Sequence, residues 1–201
     1  MPDVRHFDPE TVLEQVELLF WQRNAALTGI AEIVATTGLS RSSLYAAFGG
    51  KQALYEQALR RYVERRSGPM FDRLAADKRG LPAIADFFER LIQSRCEGDH
   101  ARWGCMVSNA HAGTESGDPG VRRILDQHQR QLRAALTAAL DIARSAGQIR
   151  LDLHLDSAAE SLALLAYGVN LRSRAGADPA ELRAAVAAVL TSLQPLRSDD
   201  D

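Results

Sequence analysis

From residue 8 to residue 193 the chain repeats apolar residues at intervals of three and four, with no run of alternating β-branched residues. That is the pattern of amphipathic helices and not of strands. It predicts helices at about 8–23, 29–36, 40–47, 51–76, 82–96, 104–112, 119–146, 157–174 and 179–193. Asp8-Pro9, Asp118-Pro119 and Asp178-Pro179 each place Asp as the cap and Pro in the first turn of a helix. Glu181 is spaced to close a capping box with Asp178. Ser67-Gly68-Pro69 is expected to kink or divide the fourth helix, Lys78-Arg79-Gly80-Leu81-Pro82 to end it, and Gly147 and Gly176 to stop two later ones. There is no internal repeat of fixed period, and the fold class is all-α.

The most specific segment is Leu39-Ser40-Arg41-Ser42-Ser43-Leu44-Tyr45-Ala46-Ala47-Phe48-Gly49-Gly50-Lys51. Thr37-Gly38-Leu39 gives a tight turn between two short helices, and the Ser40 hydroxyl can cap the second. Leu44 and Phe48, four apart, face inward, leaving Arg41, Ser42, Tyr45 and Ala46 on the open side. A basic, polar and small exposed set suits a DNA groove.

Gly38-Leu39-Ser40, Ser43-Leu44-Tyr45, Phe48, Lys51 and Leu54 resemble the DNA-binding domain of TetR-family transcriptional regulators. The likeness covers roughly residues 7 to 62, with Leu19-Phe20-Trp21 closing the first helix and Thr28-Gly29-Ile30 opening the second. Two positions depart from the family. Asn24 stands where glycine is usual, and Gly29 replaces the Ser or Thr that would pair with Glu32 in a capping box. The resemblance implies a three-helix helix-turn-helix DNA-binding domain over 1–50. It also implies a ligand-binding and dimerisation domain over 51–201, with helix 51–76 connecting the two. It assigns Thr28, Tyr45 and Lys51 to phosphate contacts. Arg41 and Ser42 are placed to reach base edges, Ala46 to meet a thymine methyl, and Ser43 joins the same surface. Such a regulator binds a near-palindromic operator as a homodimer, its recognition helices roughly 34–36 Å apart. A small-molecule effector then changes that spacing through helix 51–76.

Charge sharpens the picture. The whole chain carries −2, yet Arg41, Lys51, Arg60, Arg61, Arg65 and Arg66 against Glu56 and Glu64 leave +4 within residues 41–66 and −6 elsewhere. A basic end on an acidic body is expected. No segment approaches the ~18 apolar residues of a membrane span, and Met1-Pro2-Asp3-Val4-Arg5 has no apolar signal region. A cytoplasmic protein follows, with Ser198–Asp201 as a disordered acidic tail.

Helix 157–174 is apolar on two sides, Leu162, Leu165 and Val169 on one and Leu164, Gly168 and Leu171 on the other. Helix 179–193 has Leu182, Val186, Val189 and Leu193 beside small Ala184, Ala188 and Thr191. A two-faced helix needs two partners. The dimer interface is therefore expected to use Leu162, Leu165, Val169, Val186 and Val189, in keeping with the family's habit of pairing through its last two helices. Among Phe87, Phe88, Leu91, Trp103, Met106 and Val107, an apolar or amphipathic effector is expected to meet Phe88, Trp103 and Met106, together with Tyr167. The run Trp103-Gly104-Cys105-Met106-Val107-Ser108-Asn109-Ala110 resembles a segment beside the pocket in one TetR subgroup.

Other chemistries have weaker support. Cys96, His100, Cys105 and His111 lie within sixteen residues but match no familiar zinc spacing. A metal- or cysteine-sensing regulator using Cys96 and Cys105 is one alternative, and a helical interaction scaffold without DNA binding is another. There is no phosphate loop, nucleophile elbow or H-E-x-x-H. Ser108, His111 and Glu115 sit too awkwardly on one helix to form a catalytic group. Neither an enzyme nor a cofactor is expected.

Overall fold

A computed structural model describes residues 7–195. The N-terminal segment 1–5 and the acidic tail 198–201 lie outside the described residues. Within them the order is α1 (Pro9–Arg23), α2 (Ile30–Thr37), α3 (Arg41–Phe48), α4 (Lys51–Tyr62), α5 (Gly68–Ala76), α6 (Leu81–Cys96), α7 (Met106–Ala112), α8 (Pro119–Ser145), α9 (Leu155–Arg174) and α10 (Pro179–Leu193). No described helix is long and apolar enough to cross a membrane.

The caps explain most of these boundaries. Asp8, Asp118 and Asp178 each accept hydrogen bonds from first-turn amides. The Asp178 capping box does not close, because Glu181 turns toward Arg172 at 3.8 Å. α9 begins two residues earlier than the apolar pattern implies, since the His154 ring accepts from the Ser157 amide.

Pro69 does not break the fourth helix. Tyr62, Ser67 and Gly68 keep right-handed helical angles, and Val63–Ser67 forms a π turn in which the Gly68 amide reaches the Val63 carbonyl. The extra residue relieves the clash a proline ring makes with the preceding turn of a regular helix. A side chain at Gly68 would begin only 3.2 Å from that carbonyl. Lys51 to Ala76 therefore forms one rod with a bulge.

Two apolar cores flank this rod. The first contains Val16, Phe20, Trp21, Ile33, Leu44, Leu54 and Leu59, and also takes in Cys105, Met106, Val107, Val121 and Leu125. The second gathers Phe71, Phe88, Leu136, Leu140, Leu162 and Val186 from α5, α6, α8, α9 and α10. Each fully buried large side chain contributes ~1.5–3 kcal/mol. The boundary expected near residue 50 does not coincide with a break in packing, because α7 and the first turns of α8 complete the first core.

Candidate functional site

α3 is held between two left-handed glycines, Gly38 (φ 69°) and Gly49 (φ 78°). The Ser40 hydroxyl accepts from the Ser43 amide at 3.1 Å, and the Ser42 and Ser43 hydroxyls lie within 2.9 Å of it. Leu44 and Phe48 are buried, so Arg41, Ser42, Tyr45 and Ala46 form an exposed strip with half-exposed Ser43 at its edge. Arg41 lies over the Tyr45 ring at 5.7 Å. Tyr45 leans across Gly50, which opens α4 without a side-chain cap. The first amides of α4 thus lack a side-chain cap beside half-exposed Lys51.

Thr28 differs from its expected role. It is 1% exposed, and its hydroxyl donates to the Asn24 carbonyl at 2.8 Å, so it braces the α1–α2 turn and leaves no group for a phosphate. Asn24 takes positive φ (69°) but with ψ 147°, outside the left-handed helical well, and its side-chain oxygen is buried without a partner. Gly29 leaves α2 without a side-chain cap, and Glu32 is engaged instead by Arg23.

The basic end is smaller than the charge count implies. Glu17, fully buried in α1, accepts from Arg61 at 2.6 Å and from Arg66 at 2.7 Å. Glu10 and Glu14 draw Arg61 further, and Glu10 also draws Arg65. Three of the six cations between residues 41 and 66 are thus neutralised by acids earlier in the chain. Arg41 and Lys51 remain without a carboxylate partner among the described residues.

In the C-terminal region a cavity of about 20 Å³ opens between α5, α6, α7, α8 and α9. Met70, Phe71, Phe87, Leu91 and Leu132 form its apolar wall, and Arg95, Cys105, Ser108, His128, Tyr167 and Asn170 its polar one. Of the four residues expected to meet an effector, Tyr167 lines this cavity. Phe88 is buried in the second core, Met106 in the first, and Trp103 packs on Trp21 and His100. Burial, followed by the nearby charges of His111 and Arg95, pushes His128 down to about 4, so its ring is neutral near pH 7. Burial likewise holds the Tyr62 phenol protonated.

Sequence reasoning missed Arg95. Its Nε donates to Asn170 Oδ1 at 2.7 Å, its Nη2 donates to the Tyr62 hydroxyl at 3.2 Å, and the guanidinium lies 5.7 Å from the Trp21 ring centre. Trp21 closes α1 of the DNA-binding unit, donates from Nε1 to the Gly104 carbonyl at 2.9 Å, and stacks on His100. Arg174 of α9 donates to the Trp103 carbonyl at 2.6 Å and to the Gln22 carbonyl at 3.3 Å. The cavity wall and the recognition unit are therefore joined by direct contacts. The available signal was Arg95 itself, a charged residue continuing the apolar stripe Phe88, Leu91, Ile92.

Cys96 and Cys105 are free thiols, one in each core region. Cys96, His100, Cys105 and His111 do not gather into a metal-holding group among the described residues. The expected dimer residues also divide. Leu162, Val169 and Val186 are buried in the chain's own second core, and Leu165 and Val189 pack half-buried against it. The stripe left outside is Leu164 and Leu171, each 62% exposed, with Gly168 between them and Ala184, Ala188 and Thr191 exposed on α10. Both stripes of α9 are apolar, so α6 and α8 decide which turns inward.

A three-helix unit presenting a short capped helix, joined by a continuous rod to a helical domain with an internal cavity, defines a helix-turn-helix regulator. Residues 13–58 match the family of bacterial regulatory proteins, tetR family, and residues 80–189 match the tetracyclin repressor-like C-terminal domain. The chain belongs to the TetR family of transcriptional regulators. It is 28% identical over 175 residues, 86% of this chain and 82% of the relative, to the HTH-type transcriptional repressor ComR of Escherichia coli K12. It is 30% identical to the repressor BdcR of the same organism over 62% of this chain and 61% of that one. Among solved structures, a cysteine mutant of the TetR family regulator CifR bound to operator DNA superposes with TM-score 0.81 at 23% identity, covering 94% of this chain and 98% of that one. Reduced NemR of E. coli superposes with TM-score 0.79 at 22% identity, covering 93% and 97%. At these identities the two structures establish the fold.

Proposed function

We propose that the protein is a cytoplasmic, homodimeric repressor that binds a near-palindromic operator through α3 and is released by a small molecule entering the cavity between α5, α6, α7, α8 and α9. The observation that carries this reading is the chain of contacts from cavity to recognition unit, Asn170–Arg95–Tyr62 and Arg95–Trp21. The outward stripe Leu164–Gly168–Leu171 with the small residues of α10 supports pairing of two copies across a four-helix contact. Two α3 helices related by that axis must enter successive major grooves roughly 34–36 Å apart. An effector that opens the cavity displaces α5, which is continuous with α4, and so alters that spacing. Differential affinity of about 1–3 kcal/mol between the two spacings suffices for regulation.

Fluorescence anisotropy on duplexes from the DNA upstream of the protein's own gene tests the reading. The wild type should select one near-palindromic site. Arg41→Ala should lose about 1–3 kcal/mol there and relax base preference, while Lys51→Ala should weaken all sequences alike and lower the salt slope by about one. Full operator affinity and selectivity in a folded Arg41→Ala protein would refute the assignment of α3.

A second reading rests on Cys105, which lines the same cavity as Arg95, the wall residue that lies over Trp21. Here the signal is covalent modification of that thiol. Cys96, the more exposed of the two thiols, serves as the internal control. Mass spectrometry after treatment with an alkylating agent should show that loss of DNA binding follows the adduct on buried Cys105 and not the adduct on Cys96. Undiminished operator binding by the Cys105 adduct rejects this second reading.

A further inference from the structure

Arg95 is only 8% exposed, yet its hydrogen-bond partners, Asn170 and Tyr62, are both neutral, and no carboxylate pairs with it among the described residues. Burying a guanidinium without a counter-charge is costly, and elsewhere this chain avoids it, giving Arg61 and Arg66 the buried Glu17. Arg95 is also the one permanently charged side chain in the cavity wall, which contains no Asp or Glu. A second, independent feature lies in the same wall. His128, 4% exposed, has Nδ1 buried without a hydrogen-bond partner, and so does the Ser108 hydroxyl. Unsatisfied buried polar atoms are uncommon in a native protein and are costly to leave unmade. Here a cation and two unpartnered groups able to donate hydrogen bonds line one side of a small chamber whose other side is apolar.

Building on the effector reading above, we infer that the cavity takes a small organic carboxylate, its anionic end held by Arg95, Ser108 and His128 and its apolar body lying against Phe71, Phe87 and Leu91. A carboxylate is acceptor-only and offers about four lone-pair sites, which matches a wall of donors. A neutral imidazole can place its proton on Nδ1 and donate to such a ligand. The cavity has about the room of one water molecule, so a ligand enters only by displacing side chains. Met70, half-buried, flexible and carried on α5, is the wall residue best able to give way. The same anion would draw Arg95 from Tyr62 and Trp21, linking its arrival to the DNA-binding unit.

The test uses phenylacetate and hexanoate as probes, with phenylacetamide and hexanamide as uncharged counterparts of the same shape. Binding is followed by isothermal titration and by Trp21 fluorescence, with Trp103→Phe protein used to isolate the signal, and operator release by anisotropy. At least one carboxylate should bind about tenfold or more tightly than its amide and release the operator, and Arg95→Gln should abolish that preference. Ser108→Ala, a milder change in the same wall, should weaken the carboxylate several-fold and more than it weakens the amide. Equal or tighter binding of the amides, with operator release, would overturn the carboxylate assignment while leaving the cavity as the effector site. If none of the four probes binds at millimolar concentration, the carboxylate assignment falls. If, in addition, filling the cavity by Ala166→Leu leaves the operator affinity of the folded protein unchanged, the effector-cavity reading falls with it.

Discussion

Replacing Glu17 by Gln changes one atom type in a charge cluster built around a fully buried carboxylate. The carboxylate is fully buried and accepts two charge-assisted hydrogen bonds, at 2.6 Å from Arg61 and 2.7 Å from Arg66. Hydrogen bonds to charged groups contribute ~1.5–3 kcal/mol each. An amide retains one acceptor oxygen, so one bond is lost and an NH2 group is set against a guanidinium. Removing one partner of a buried pair costs about 3–5 kcal/mol when it strands the other charge. Neither arginine is stranded here, because Arg61 keeps Glu10 and Glu14 at 3.5 Å and Arg66 keeps the Trp21 face at 4.8 Å. The expected loss is therefore about 2–3 kcal/mol. For a chain of this size that corresponds to a fall in Tm of roughly 5–10 °C. Urea unfolding followed by circular dichroism measures the loss directly, with an unchanged m-value confirming a pure stability effect. Glu10→Gln and Glu14→Gln, on exposed partners, should each cost under about 1 kcal/mol. A Glu17→Gln protein as stable as either control would refute the argument that burial gives this carboxylate its weight.

Leu164→Glu should yield a folded monomer by light scattering, whereas Leu162→Glu, in the chain's own core, should unfold it. A dimer unaffected by Leu164→Glu would move the interface elsewhere. His128 titrates near 6.5 when unfolded but is pushed down to about 4 by burial and by His111 and Arg95, so between those values the unfolded chain binds a proton the folded one does not. Stability should fall by about 3 kcal/mol as pH drops from 6.5 to 4, with none of this loss above 6.5, and His128→Leu should flatten that part of the profile. Asn24→Gly, at φ 69° and ψ 147°, should raise stability by about 1 kcal/mol in thermal unfolding, and a loss on this substitution would show that the turn is unstrained.

The features legible in the sequence were local ones. The Ser40 cap, the glycines that flank α3 and the three Asp-Pro starts act within a few residues, and the helices lie within two residues of the expected bounds. What the sequence concealed depends on contacts between distant segments. Periodicity shows that α9 has two apolar stripes, but only the placement of α6 and α8 makes Leu162 interior and Leu164 exterior. Counting charge over residues 41–66 omitted the acids of α1, forty and more residues away, that neutralise Arg61 and Arg66. Phe88, Trp103 and Met106 were sound choices of residue type, yet each is used for packing, while the cavity is lined by their neighbours Phe87, Leu91, Arg95 and Cys105.

One rule would have recovered much of what was missed. Glu17 follows Val12 and Val16 on the buried side of α1, Arg95 continues Leu91 and Ile92 on α6, and His128 falls between Leu125 and Leu132 on α8. Each is an ionisable residue at a core position of an otherwise apolar stripe. Burial at such a position costs several kcal/mol unless a partner compensates. A chain retains the residue only where a counter-charge, a hydrogen-bond network or a ligand supplies that compensation. For Glu17 the partners are Arg61 and Arg66, and the result is a rigid clamp between α1 and the α4–α5 rod. Arg95 and His128 have no such counter-charge among the described residues, and both open onto the same cavity. The contrast separates the two kinds of site: where the ionic pairing is complete, as at Glu17, the cluster holds the fold together, and where a buried cation has only neutral partners, as at Arg95, the site is open to an anion from outside the chain.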